Sequence, residues 1–74
     1  SRLNQLDHKT HLQELAARAG RSAPVYTVTS TGPDHAKSFQ ATVSLDGDVL
    51  GDGSGRSKKA AEQSAASVAA ATLL

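Results

Sequence analysis

The chain has 74 residues, no cysteine and a formal net charge of +1. A chain of this length buries only about 60% of its unfolded surface, which predicts one small domain without a deep catalytic cleft. Without cysteine, neither a disulfide framework nor a zinc finger can hold the fold together, and a reducing compartment is favoured. No apolar run reaches about 18 residues and no signal peptide is recognisable, so we predict a cytoplasmic protein with no membrane segment.

A first helix is predicted after Asp7, which suits the N-cap position, and it should end before Gly20. Its apolar positions recur at i, i+3, i+4 and i+7, and they should share one buried face: Leu12, Leu15, Ala16 and Ala19. The opposite arc is small and polar, and we predict that it is exposed: Thr10, Gln13, Glu14 and Ala17.

Three antiparallel strands should follow. Residues 25–31 (VYTVTST) are rich in β-branched types and predict a strand, and residues 32–37 (GPDHAK) have the composition of a turn. The next segment alternates apolar and polar residues, as a half-buried strand does, with apolar positions at Phe39, Ala41, Val43 and Leu45. Asp46 followed by Gly47 is a two-residue hairpin signal, and the segment DVLGDGS predicts a short third strand that its glycines soon end.

An alanine-rich run over residues 60–74 predicts a second helix, whose buried face should hold Ala61, Ala65, Val68, Ala69 and Thr72. The start of this helix carries Arg56, Lys58 and Lys59 and no acid. A helix dipole puts partial positive charge at the N-terminus, so these cations are placed unfavourably for stability. Free backbone N–H groups lie at the same helix start as these cations, so we interpret this start as a phosphate-binding site.

Three other kinds of site are rejected because residues that each needs are missing. His8 and His11 are spaced as a metal pair, but no cysteine or suitable carboxylate joins them, so no metal site is predicted. The acidic segment DGDVLGD resembles a calcium loop, but Leu50 stands where an oxygen ligand is needed and Ser57 where a bidentate Glu is needed. The segment GDGSGR matches no nucleotide-binding pattern, and we expect its glycines to let the backbone turn tightly into the last helix.

The order of elements predicts an α+β fold with the arrangement α-β-β-β-α. A three-stranded antiparallel sheet should carry both helices packed on one face, and its other face should meet water. Small side chains on the last helix should allow close approach to its neighbours. Residues 1–6 are predicted to form a linker or tail, and residues 7–74 the domain.

In order, length and motifs, the chain resembles the double-stranded RNA-binding domain, and more closely the C-terminal one of bacterial ribonuclease III. The resemblance runs from about residue 7 to residue 73 through the segments DHKTHLQEL, GPDHAKSF and GDGSGRSKKAAEQSAA. It implies that the first helix and the loop after the first strand reach two successive minor grooves, while the last helix meets phosphates between them. Matched by position, the implied RNA-binding residues are Thr10, Gln13, Glu14, Pro33, Asp34, His35, Arg56, Ser57, Lys58 and Lys59.

The chemistry of these side chains suits the implied roles. Gln13 can donate and accept hydrogen bonds, Glu14 can accept from a 2′-hydroxyl, and neutral His35 can do either. Two positions depart from the family. Ala70 replaces a bulky residue, which we expect to lower stability, and Glu62 replaces a lysine of many eukaryotic members, which we expect to lower affinity.

The resemblance implies that the domain binds double-stranded RNA by shape, phosphate and 2′-hydroxyl contacts with little sequence specificity. It implies a ribonuclease III parent, in which a separate homodimeric, Mg²⁺-dependent catalytic domain cuts RNA during ribosomal RNA maturation and messenger decay. For this chain alone we expect a monomer with no catalytic residue and no cofactor. The alternative is a protein-interaction module of the same fold, which an exposed apolar helix face would favour.

Overall fold

The computed structural model describes residues 7–74, so the predicted linker or tail at residues 1–6 lies outside the described residues. The helices and strands are α1 (His8–Arg18), β1 (Val25–Thr31), β2 (Ser38–Leu45), β3 (Asp48–Gly55) and α2 (Lys58–Leu73). The three strands form one antiparallel sheet in the order β1-β2-β3. These observations confirm the predicted α-β-β-β-α arrangement.

Helix α1 begins and ends at the predicted residues. The Asp7 carboxylate accepts hydrogen bonds from the backbone N–H groups of Lys9 and Thr10, at 3.1 and 3.2 Å. At the other end Gly20 has a φ of 71°, and the N–H groups of Gly20 and Arg21 return to carbonyls of the last turn. This is the Schellman arrangement, which satisfies carbonyl groups that the helix itself leaves without donors.

One face of α1 is buried, as predicted, but the face is shorter than the spacing indicates. Leu12 and Ala16 are buried and Leu15 is half-buried, whereas Ala19 is exposed. The prediction for Ala19 was wrong because this residue is the C-cap, where the chain already leaves the helix. The predicted polar arc is exposed throughout, at Thr10, Gln13, Glu14 and Ala17.

The β2–β3 hairpin turns at the predicted dipeptide. Asp46 has a φ of 51° and Gly47 a φ of 87°, so both central residues adopt the positive φ that a type I′ turn requires. Arg21 binds this turn through two contacts, from Nε to an Asp46 carboxylate oxygen at 3.0 Å and from Nη2 to the Leu45 carbonyl at 3.2 Å. The segment that follows α1 is therefore attached to the hairpin end of the sheet.

Strand β3 differs from its prediction, because its glycines lie inside the strand and do not end it. Gly51, Gly53 and Gly55 alternate along β3 and all face α2. A Cβ atom at Gly53 would lie 2.6 Å from the backbone nitrogen of Ala65, and one at Gly51 would lie 2.8 Å from that of Ala69. The sequence had indicated that these glycines form a tight turn into α2, and that prediction was wrong. They let α2 lie directly on the backbone of β3.

This close contact determines which side of α2 is buried. The buried residues are all alanines: Ala61, Ala65, Ala66, Ala69 and Ala70. Val68 is 47% exposed and Thr72 is exposed, so their predicted burial was wrong. Ala61, Ala65 and Ala69 lie against the glycines of β3, where only small side chains fit between helix and strand. Ala66 belongs to the same buried cluster as Leu12 of α1.

Both helices pack on one face of the sheet, as predicted. Helix α2 lies on β2 and β3, and α1 packs against α2. Leu12 of α1 joins a cluster that also contains Ala41 and Val43 of β2. The other face of the sheet is largely polar and includes the exposed side chains of Thr27, Thr42, Asp52 and Ser54.

The start of α1 is joined to α2 by the side chain of Gln63. The Gln63 Oε1 atom accepts from the His8 backbone N–H at 2.8 Å, and Nε2 donates to Asp7 Oδ1 at 2.8 Å. Thr10 Oγ1 donates to the other oxygen of Asp7 at 2.9 Å. The Gln63 side chain first, and then Thr10, hold the pKa of Asp7 at about 2, below its ordinary value.

We predict that Gly53→Ala lowers the free energy of unfolding by about 1–3 kcal/mol, because the added methyl group forces α2 away from β3. Urea denaturation followed by circular dichroism measures this change. Ser54→Ala is the matched control, since Ser54 is the next residue and is exposed on the opposite face. It should alter stability by less than about 0.5 kcal/mol. Equal midpoints for the two variants would contradict the packing role of Gly53.

We also predict a pH-dependent difference between the unmodified domain and Asp7→Asn. A carboxyl group with a lowered folded-state pKa stabilises the fold above its unfolded pKa and loses that contribution as pH falls. The stability advantage of the unmodified domain should therefore be complete at pH 7 and disappear between about pH 4 and pH 2. Urea denaturation at several pH values tests this. A difference that stays constant from pH 7 to pH 2 would refute it.

Candidate nucleic-acid interface

The three sets of predicted site residues occupy three separate parts of the surface. The first set lies on the exposed arc of α1, where Thr10, Gln13 and Glu14 are one turn apart or less. Thr10 already donates its hydroxyl hydrogen to Asp7, so its oxygen remains available as an acceptor. In the described part of the chain, Gln13 and Glu14 make no side-chain hydrogen bond with another residue, so their polar atoms are available to a ligand.

The second set lies on the loop between β1 and β2. Pro33, Asp34 and His35 are all exposed, and Asp34 and His35 belong to a short 3₁₀ turn. The Lys37 ammonium group lies 3.8 Å from the Asp34 carboxylate, within the same loop.

An open cleft of about 690 Å³ separates this loop from the start of α2. Asp34, His35 and Lys37 line one side, and Arg56 lines the other. The fold therefore brings two residues of the second predicted set, Asp34 and His35, and one of the third, Arg56, to the two sides of one cleft. The α1 arc does not contribute to the lining of this cleft.

The third set surrounds the start of α2, which begins two residues earlier than predicted, at Lys58. Ser57 is the N-cap, and its hydroxyl oxygen accepts from the Ala60 N–H at 3.0 Å. Within residues 7–74, no acceptor faces the backbone N–H groups of Lys58 and Lys59. The first turn contains no acid, and Arg56, Lys58 and Lys59 are exposed. This helix start therefore combines positive side chains with unsatisfied donors.

The start of α1 has the opposite character. Its first three N–H groups all have acceptors, two on Asp7 and one on Gln63. Asp7 also supplies the negative charge that a helix N-terminus favours. The two helices thus differ at their N-termini: α1 is capped by an acid of its own chain, whereas α2 presents its dipole and three cations to solvent.

Two interactions beside this surface have no signal in the sequence pattern. Lys9 Nζ lies 2.6 Å from Glu62 Oε1 and 4.8 Å from the centre of the Tyr26 ring. Gln63, which follows Glu62 in the chain, makes the two contacts to α1 described above. The hydrogen-bonded partners are separated by 53 to 56 positions in the chain, and short-range periodicity does not relate residues so far apart. The negative charge of Glu62 is therefore compensated within the protein.

Within residues 7–74, no group of three His, Cys, Asp or Glu side chains is placed to hold a metal ion. Among the same residues, no helix is long and apolar enough to cross a membrane.

Comparison with known proteins connects this surface with a family. The sequence model described as "Double-stranded RNA binding motif" matches residues 8–73. Ribonuclease 3 of Leifsonia xyli subsp. xyli is 57% identical over 61 residues, which cover 82% of this chain and 26% of that protein. Ribonuclease 3 of Mycobacterium tuberculosis is 59% identical over 64 residues, which cover 86% and 27%. The chain thus spans about a quarter of the length of these relatives.

Solved structures agree with the sequence comparison. The structure of Arabidopsis HYL1 has a TM-score of 0.79 at 44% identity, and the match covers 89% of this chain and 94% of that chain. The second double-stranded RNA-binding domain of DRB4 has a TM-score of 0.68 at 38% identity, with 92% and 96% covered. On its fold and on the family match over residues 8–73, the chain belongs to the double-stranded RNA-binding domain family.

Proposed function

We propose that this domain binds double-stranded RNA across the surface formed by the α1 arc, the β1–β2 loop and the start of α2. The observation that carries this proposal is the open N-terminus of α2, with Arg56, Lys58 and Lys59 exposed and no acid in the first turn. A phosphate there would accept from the free N–H groups and neutralise the cations. Phosphate contacts of this kind position the protein on a duplex without selecting its sequence.

The α1 arc supplies the contacts that distinguish RNA from DNA. Glu14 carries a carboxylate, which phosphate repels, so it must meet a donor such as a 2′-hydroxyl or an amino group. Gln13 can donate to or accept from the same edge, and Thr10 offers an acceptor. The wide, shallow minor groove of an RNA helix displays 2′-hydroxyl groups to such side chains.

The β1–β2 loop completes the proposed contact through a second minor groove. Asp34 and His35 lie across the cleft from Arg56. If the start of α2 spans a major groove, this loop therefore lies beside the next minor groove. Domains of this family cover about 16 base pairs in this way, with two minor grooves and the intervening phosphates. Little sequence preference is expected, because the minor groove displays few differences between bases.

We further propose that the domain is the substrate-binding part of a ribonuclease III. The identity to ribonuclease 3 proteins over about a quarter of their length supports this. In such a parent, a separate homodimeric, Mg²⁺-dependent domain would cleave the RNA, in ribosomal RNA maturation and messenger decay in the cytoplasm. The domain itself would act as a monomer, without a catalytic residue or a cofactor.

The alternative function, a protein-interaction module of the same fold, is not favoured. It calls for a continuous apolar helix face, and Val68 is the large apolar residue exposed in the middle of α2. Its neighbours on that side are small or polar: Ser64, Ala71 and Thr72. The family match also favours RNA binding.

We predict that Lys58→Ala and Lys59→Ala each weaken binding to every RNA duplex alike. Each should also make the dependence of log K on log salt shallower by about one unit, since fewer counterions are released. The free domain should be as stable as before or more stable, because a cation leaves a helix N-terminus. Fluorescence anisotropy at several salt concentrations and urea denaturation measure the two effects.

Arg21→Gln is the charge-matched control for this experiment. Arg21 contacts Leu45 and Asp46 at the hairpin end of the sheet, whereas α2 starts beyond Gly55 at the opposite end. Its loss should leave the salt dependence nearly unchanged. If both lysine variants bind RNA as the unmodified domain does, with the fold intact, the phosphate role is refuted.

We predict that a duplex of about 20 base pairs binds more tightly as RNA than as DNA of the same sequence and at the same salt. Gln13→Ala should weaken RNA binding by about two- to tenfold, which corresponds to one hydrogen bond. It should change DNA binding less. Gln40→Ala on the outer face of the sheet is the matched control and should alter neither. Equal affinity of the unmodified domain for RNA and DNA would remove the 2′-hydroxyl role.

A further inference from the structure

Gln63 is the residue that connects the α1 arc to the start of α2. It lies four positions, about one helical turn, after Lys59. Its side chain contacts Asp7 and the His8 backbone, and Asp7 in turn binds Thr10. A single amide group therefore lies between one proposed RNA-binding set and the other.

Both ends of this amide are fixed by chemistry. The Asp7 carboxylate accepts only, so the –NH₂ end of Gln63 must face it, and the His8 N–H donates only, so the carbonyl end must face that group. Both bonds are 2.8 Å long. The rotation of α1 about its axis at this end is thereby tied to α2.

The neighbouring ion pair does not fix this orientation as well. Lys9 reaches Glu62 through a long, flexible side chain, and the side chains are 37% and 21% exposed. Partly exposed ion pairs of this kind contribute little and are screened by salt. Gln63 instead binds the backbone of α1 and its N-cap directly, and it carries no charge that salt could screen.

We propose that Gln63 is a positioning residue for RNA recognition, which holds the α1 arc at the spacing and angle that a duplex requires relative to the start of α2. This inference rests on the proposed function. A rigid duplex presents its minor groove and its phosphates at a fixed separation, so contacts on two helices reinforce one another only if the helices keep that separation. Gln63 contacts no RNA itself, and it acts through Asp7 and Thr10.

The experiment compares Gln63→Leu, which keeps the size of the side chain and removes its polar atoms, with the unmodified domain on two RNA duplexes. One duplex has about 20 base pairs and presents both contact regions; the other is a hairpin stem of about 5 base pairs, about a third of the length that the whole domain covers, and presents one region at a time. Gln63→Leu should weaken binding to the long duplex by about five- to tenfold and to the short one by less than about twofold. The salt dependence should not change, because no charge is altered.

Val28→Ala is the control for a general loss of stability, since Val28 is half-buried in β1 and packs against the core. It should leave binding to both duplexes within about twofold at a temperature where every variant is folded. Equal weakening of both duplexes by Gln63→Leu would overturn the inference, because that result describes a structural role alone. Unchanged binding of the long duplex would overturn it as well.

Gln63→Ala serves as a second variant, and circular dichroism establishes folding for each. If both Gln63 variants unfold, the inference is overturned, because Gln63 is then required for folding and not specifically for the placement of α1. The proposed function is judged separately on the unmodified domain. If that domain fails to bind the long RNA duplex, the function is refuted; if it binds and Gln63→Leu binds equally well, only the role of Gln63 is refuted.

Discussion

The contact between α2 and the backbone of β3 is the constraint on which the rest of this structure depends. Gly51, Gly53 and Gly55 give that side of the strand no side chains, and the buried alanines 61, 65 and 69 of α2 lie against it. Because so little bulk separates helix from strand, the fully buried core needs few large residues, chiefly Leu12, Val43 and Leu45. Only residues 56 and 57 connect β3 to α2, so the start of α2 has a fixed position at the end of the sheet.

The two helix N-termini show how the same electrostatic rule leads to different chemistry. In α1 the acid is part of the chain, and hydrogen bonds to Asp7 keep its pKa low. The first turn of α2 contains no acid and carries basic side chains. Their positive charges interact unfavourably with the helix dipole, and this destabilises the free domain. An anion bound there removes that unfavourable interaction, so part of the binding free energy comes from relief of a cost that the free fold bears.

Local signals in the sequence were reliable because their physical cause is local. Asp7 and the Asp46-Gly47 turn act through adjacent backbone groups, and both were predicted correctly. The glycines of β3 were misinterpreted because they make room for a packed helix, and local turn composition does not indicate such a contact. The exposure of the ten predicted site residues agrees with an interface, but their contacts with RNA stay predictions. Gln63 was missed because its partners lie over 50 positions away.

Glu62 illustrates why a residue's effect on affinity depends on its neighbours. From sequence alone, Glu62 stands where many eukaryotic members of the family have a lysine, and a lower affinity for RNA is expected. In the folded domain its carboxylate binds Lys9, which also lies over the Tyr26 ring. A lysine at this position would add a cation near the phosphates, but it would also place two ammonium groups together where α1 meets α2. Like-charge repulsion at that junction would act against the helix arrangement that Gln63 maintains. The acid therefore gives up one phosphate contact that a lysine would offer, and it preserves the relative placement of the other proposed contacts.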